Sequence, residues 1–99
     1  MIRHIVMWRL KAEDAEQRAA DILAIREALE ALNGRIDGMR LLEVRADFSR
    51  EATSADLMLY SEFDSRAALD AYQDHPEHVA AKAVVAPRVS ERRLADVES

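Results

Sequence analysis

No cysteine occurs among the 99 residues, which excludes disulfides, thiol catalysis and thiolate metal sites. Glycine is scarce, with Gly34 and Gly38 the only two, so there is no glycine-rich loop to cradle a phosphate or a dinucleotide. Basic residues number 14 against 19 acidic ones, leaving a formal net charge of −5. They form no block, and nucleic acid, which needs a basic stripe, is not an expected partner. No apolar run approaches the ~18 residues of a membrane span, so no membrane partner is expected either. The start, Met1-Ile2-Arg3-His4, runs directly into strand-like sequence without the apolar core and cleavage site of a signal peptide. A cytoplasmic protein is the expectation. There is no strand-turn-helix serine motif, no helical His-x-x-x-His pair for zinc and no dense carboxylate loop for magnesium. No metal and no other cofactor are therefore expected.

What is present reads as one domain over residues 1–99. A chain of this size can bury about two-thirds of its unfolded surface. From Ile2 to Leu10 the residues alternate: Ile2, His4, Val6, Trp8 and Leu10 share one face, and Arg3, Ile5, Met7 and Arg9 the other. A helix is expected from Ala12 to Leu32, with Glu13 and Asp14 in its first turn and a stripe of Ile22, Ile25, Leu29 and Leu32. Asn33-Gly34 stops it, and Asp37-Gly38 is a turn. Met39–Phe48 and Asp56–Phe63 read as two strands near enough to form a hairpin. In the latter, Leu57, Leu59, Ser61 and Phe63 share a face opposite Met58, Tyr60 and Glu62. Asp64-Ser65 caps the next helix, which turns Ala68, Leu69 and Tyr72 inward.

The helical sequence then breaks at Tyr72-Gln-Asp-His75-Pro76-Glu77-His78. Proline removes a backbone donor and forces the preceding residue out of the helical region, but it is tolerated as the first residue of a helix. One helix thus ends near His75 and a short one starts at Pro76, with Val79 and Ala83, or Val84 and Val85, as core contacts. Pro87 ends it. Arg88–Val97 is a polar edge strand, and its Arg92-Arg93 pair is expected to be solvated or ion-paired.

The order β-α-β-β-α-β predicts an α+β, ferredoxin-like fold with a four-stranded antiparallel sheet and helices on one face. Helices on one face leave Ile5, Met7, Met58 and Tyr60 on the other. Burying each is favourable by roughly 1.5–3 kcal/mol, so sheet-to-sheet packing in a homodimer, closing into a barrel, is expected.

The chain resembles the stress-responsive dimeric α/β-barrel (Dabb) family over nearly its whole length. The matching pieces are His4–Lys11, Leu42-Glu43-Val44, Asp56–Phe63 and, most specific, Ala71-Tyr72-Gln73-Asp74-His75-Pro76-Glu77-His78. The resemblance implies the dimeric barrel, and a pocket in each subunit between sheet and helices, faced by His4, Tyr72 and His78. It extends to polyketide cyclases such as the plant cyclase that makes olivetolic acid. There, the residues matching Tyr72 and His78 look to be the catalytic pair, and the one matching His4 lines the pocket. Leu57 and Arg26 stand where that cyclase has a histidine and a tyrosine.

In this frame His78 is a candidate general base and Tyr72 a candidate hydrogen-bond donor to an enolate or phenolate oxygen. The plainer alternative makes both core residues at a helix corner. His75 is expected to build the corner, as an imidazolium at a helix C-terminus worth ~0.3–1 kcal/mol. His4 is expected to be satisfied by one buried hydrogen bond or to share the pocket. His4, Trp8 and Leu57 are the expected ligand contacts. The function read from these residues is binding of a small apolar, aromatic or polyketide-like molecule by a homodimer. A cofactor-independent cyclase, isomerase or lyase and a non-catalytic stress-associated assembly protein are the alternatives.

Overall fold

Alternation in the first strand decides which face of the sheet is covered. In β1 (Ile2–Leu10) the residues Ile2, His4, Val6, Trp8 and Leu10 are buried, while Arg3, Met7 and Arg9 are exposed. The computed structural model describes residues Met1–Ser99. After β1 come α1 (Ala15–Glu30), β2 (Met39–Ala46), β3 (Leu57–Phe63), α2 (Arg66–Asp74), α3 (Pro76–Val85), a 3-10 turn over Ala86–Arg88, and β4 (Val89–Glu98). The strands form one antiparallel sheet in the order β2-β3-β1-β4, with the helices on one face. This is the ferredoxin-like βαββαβ fold.

Helix α1 starts later than the charge pattern suggests, because Asp14 lies outside its first turn. The Asp14 carboxylate accepts from the backbone N–H groups of Glu16 and Gln17 and is the N-cap. Ile25, Leu29 and Leu32 are buried as the stripe requires, and Ile22 partly. Asp21 is buried too. It accepts from Gln17 at 2.9 Å and lies 3.4 Å from the Arg88 guanidinium, joining α1 to the turn that follows α3.

Both glycines adopt φ of +80°. At Gly38 a β carbon would also stand 2.6 Å from that of Ala68, so the turn before β2 packs directly against α2. The outer edge of β2 is closed by side chains. Asn33 donates to the Leu42 carbonyl and accepts from its N–H, and Glu30 accepts from the N–H of Val44. These bonds occupy positions another strand would otherwise use. Edge strand β4 has no comparable clamp.

Three expectations around α2 and α3 need correction. Ser65 alone caps α2, accepting from Ala68 N–H, whereas Asp64 pairs with Arg40 at 2.6 Å. His75 is extended, as a residue before proline must be, but its Nδ1 accepts from the Glu77 backbone N–H at 3.1 Å. It therefore caps the start of α3 and does not serve the end of α2. In α3 the buried residues are His78, Ala81 and Val85, while Val79 is 49% exposed. A polar residue opens the buried face, so apolar character alone misplaces the helix phase.

The outer face of the sheet carries Ile5 opposite Tyr60 and Met7 opposite Met58. Beyond them lie the oppositely charged pair Arg3 and Glu62 at one end and Arg45 and Arg93 to either side of the Met pair. On the helix side, β4 lies beyond the helical cover: Leu94 is 47% exposed although its partner across the ladder, Val6, is buried.

Candidate functional site

A cavity of about 260 Å³ opens between the sheet and the helices. β1 sends His4, Val6 and Trp8 into it at every second position, and Leu59 joins them from β3. Leu29 of α1, Tyr72 and Gln73 of α2, and His78, Lys82 and Val85 of α3 line the helical side, and Val89 and Arg92 of β4 line the cavity as well.

The corner at Pro76 positions two of these groups. Tyr72 lies on the last turn of α2 and His78 on the first turn of α3. Their rings stack, centroids 3.9 Å apart and planes 22° from parallel. The His78 Nδ1 lies 3.1 Å from the carbonyl oxygen of Tyr72. A carbonyl only accepts, so Nδ1 carries the proton and Nε2 the lone pair. Burial drives the imidazole pKa down from 6.5 to about 4, and the Lys82 charge adds to the effect. Burial pushes the Tyr72 phenol upward, opposed by Arg92. At neutral pH the pair is an uncharged acceptor beside an uncharged donor.

His4 completes the polar set. Its Nδ1 meets the Asp96 carboxylate at 2.5 Å, and its ring stands edge-on to Tyr72 with centroids 6.1 Å apart. The His4 Nε2, the Tyr72 hydroxyl and the His78 Nε2 make no hydrogen bond within the chain. Arg88 Nε is the one side-chain polar atom both fully enclosed and without a hydrogen bond, so these three side-chain atoms are not fully enclosed.

Of the residues singled out from sequence, His4, Trp8, Tyr72 and His78 come together around one cavity. Leu57 does not line it. Opposite Trp8 and only 1% exposed, Leu57 is sealed in the core, and the cavity position on β3 is Leu59, opposite Val6. His75 serves the backbone, and no group of three or more His, Cys, Asp or Glu side chains gathers to hold a metal ion. Lys82, Arg92 and the His4 partner Asp96 were not anticipated. Lys82 was legible, four residues after His78 on the same helical face. Arg92 and Asp96 depend on the β1–β4 register, for which the sequence carries no local signal.

No helix is long and apolar enough to cross a membrane. An uncharacterized protein of Streptomyces coelicolor is 33% identical over 84 residues, 85% of this chain and 86% of that one. A Bacteroides fragilis crystal structure, described as a dimeric protein of unknown function with a ferredoxin-like fold, is similar at a TM-score of 0.88. It shares 32% identity, with 99% of this chain and 95% of that one covered. A Dabb family protein of Mesorhizobium loti with a ferredoxin-like fold is similar at a TM-score of 0.76 and 25% identity, covering 99% and 95% of the two chains. The stress responsive A/B barrel domain matches residues 2–99, and the chain belongs to that Dabb family.

Proposed function

We propose that the protein is a homodimer in which each subunit binds one small, largely apolar molecule, an aromatic ring or a short polyketide-like chain. The observation that carries the reading is the set of three unbonded polar side-chain atoms, on His4, Tyr72 and His78, around an otherwise largely apolar cavity. A few convergent polar groups in an apolar hollow are what orients a small ligand. Size supports the reading. An apolar cavity of about 150 Å³ accepts benzene, so 260 Å³ suits one substituted ring. The homodimer is supported by the apolar centre of the outer sheet face and by the dimeric description of the Bacteroides fragilis relative.

Titration with single-ring phenols and short acyl compounds tests this. A binder at a hundredfold excess over its Kd stabilises the fold by about 2.7 kcal/mol, which raises the melting temperature measurably. A flat response across the panel, with crystals showing the cavity closed by side chains, would sink the proposal.

The His78 geometry favours a second reading, cofactor-independent proton transfer as in a cyclase, isomerase or lyase. With Nδ1 tied to the Tyr72 carbonyl, the Nε2 lone pair would take a proton from carbon beside a carbonyl. The Tyr72 hydroxyl would donate to the enolate oxygen. A pKa of about 4 makes His78 a weak base at neutral pH, so binding is the reading placed first. Unchanged turnover in both His78→Ala and Tyr72→Phe would rule out the catalytic version.

A further inference from the structure

We infer that the ligand is an anion, its apolar body inside the cavity and a carboxylate or phosphate head at the mouth between Lys82 and Arg92. This rests on the ligand-binding reading of the same cavity.

The chain carries five more acidic than basic residues, yet the charged residues lining the cavity are Lys82 and Arg92, with no acid among them. Of the twelve other lysines and arginines, seven meet carboxylates, among them Arg18 with Asp56, Arg40 with Asp64 and Arg66 with Glu98. Neither mouth residue is in an ion pair. The Lys82 ammonium donates only to the Gln73 carbonyl, at 3.3 Å, and the Arg92 guanidinium donates to nothing within the chain. Asp96, the acid nearest the polar ring set, is already engaged by His4.

The two cations line the cavity from the helix side and the sheet side, and both are exposed, as residues at its opening must be. Lys82 stands one turn beyond His78 on α3, and Arg92 stands on β4 opposite Trp8. Two like charges over a low-dielectric hollow focus attraction on an anion, and the planar fork of arginine matches carboxylate and phosphate alike. The head group has no reason to go deeper. Tyr72 and His78 present uncharged polar atoms there, which can hydrogen-bond a hydroxyl or carbonyl of the body but cannot neutralise a charge, and the His4 ring is already engaged by Asp96. The arrangement therefore selects a direction of entry, apolar end first.

Calorimetric titration of the wild-type protein with 4-ethylbenzoate, 4-ethylphenyl phosphate and the neutral 4-ethylbenzamide tests the inference. At least one anion is expected to bind about tenfold tighter than the amide, with the advantage shrinking as salt rises through about 0.3 M. Whichever anion leads identifies the head group. Lys82→Gln and Arg92→Gln are each expected to weaken that anion about three- to tenfold and to leave the amide unchanged. Both side chains are exposed, and retained amide binding reports an intact fold. If the amide binds as tightly as both anions, or both variants lose anion and amide alike, the inference fails while the cavity reading stands. If none of the three probes binds, the cavity reading falls with it.

Discussion

His78 touches Tyr72 twice: its imidazole lies flat against the phenol, centroids 3.9 Å apart, and its Nδ1 donates to the Tyr72 backbone carbonyl. The two contacts span the break at Pro76 and lock the end of α2 to the start of α3. They also hold one tautomer, which leaves Nε2 available to a ligand. The corner is thus structural, and on the proposed reading chemical as well, and the two contributions can be separated by experiment.

The proton equilibrium of His78 should appear in the stability of the protein. Burial first, then Lys82, holds its folded pKa at about 4 against an ordinary 6.5. Between those values the unfolded chain binds more protons, so stability is present above 6.5 and is lost as pH falls toward 4. The loss is expected to be roughly 2–3 kcal/mol. Urea unfolding at about pH 7 and about pH 4.5 should show a larger drop for wild type than for His78→Gln. Equal drops in the two proteins would contradict this account.

Tyr72 should separate packing from recognition. It is 1% exposed and stacks on His78, but its hydroxyl bonds to nothing in the chain. Tyr72→Phe is expected to change stability by less than about 1 kcal/mol, whereas Tyr72→Ala should cost about 3–5 kcal/mol. Tyr72→Phe should still weaken a phenolic ligand about three- to tenfold. Denaturation and calorimetry on the two variants check both statements. A large stability loss in Tyr72→Phe would reveal a structural hydrogen bond where none is assigned.

His75 offers a test of the corner itself. If its Nδ1 caps α3 through the Glu77 N–H, His75→Ala should cost about 0.5–2 kcal/mol, and His75→Asn, a good cap, only a few tenths. Equal destabilisation in the two variants would refute the capping role.

The outer sheet face predicts the oligomeric state. Wild type should sediment as a dimer, and Met7→Glu, at a position 44% exposed in the subunit, should give a folded monomer. A charge at the centre of an apolar contact is costly, whereas the same charge on a free surface is not. A wild-type monomer at about 10 µM would overturn the sheet-packing argument, since specific homodimers commonly hold below that concentration. A large, heat-resistant ring would favour the assembly alternative instead.

Much of this was legible in local sequence, because local backbone geometry dictates it. A strand turns successive side chains to opposite faces, so the alternation through Ile2–Leu10 and Leu57–Phe63 placed His4 and Trp8 with the core and Met7 and Met58 away from it. Proline cannot continue a helix, so the corner at His75-Pro76 follows from two residues. The family resemblance then supplied the conjunction of His4, Tyr72 and His78, which spacing alone would not have joined.

The rest was set by contacts between residues far apart in the chain. Leu57 and Leu59 share one face of one strand, and nothing local says which lies under the cavity; the packing of the helices as a whole decides for Leu59. Asp96 meets His4 across 92 positions of chain, and Arg92 reaches the mouth because β4 pairs with β1 in one particular register. By itself, the sequence determined the elements, their faces and the Pro76 corner, because steric and hydrogen-bonding rules act within a few residues. Only the tertiary structure decided how much volume lies beneath Tyr72 and His78 and which charges stand over it. Those depend on strand register and helix crossing, which are settled by the packing of the whole core.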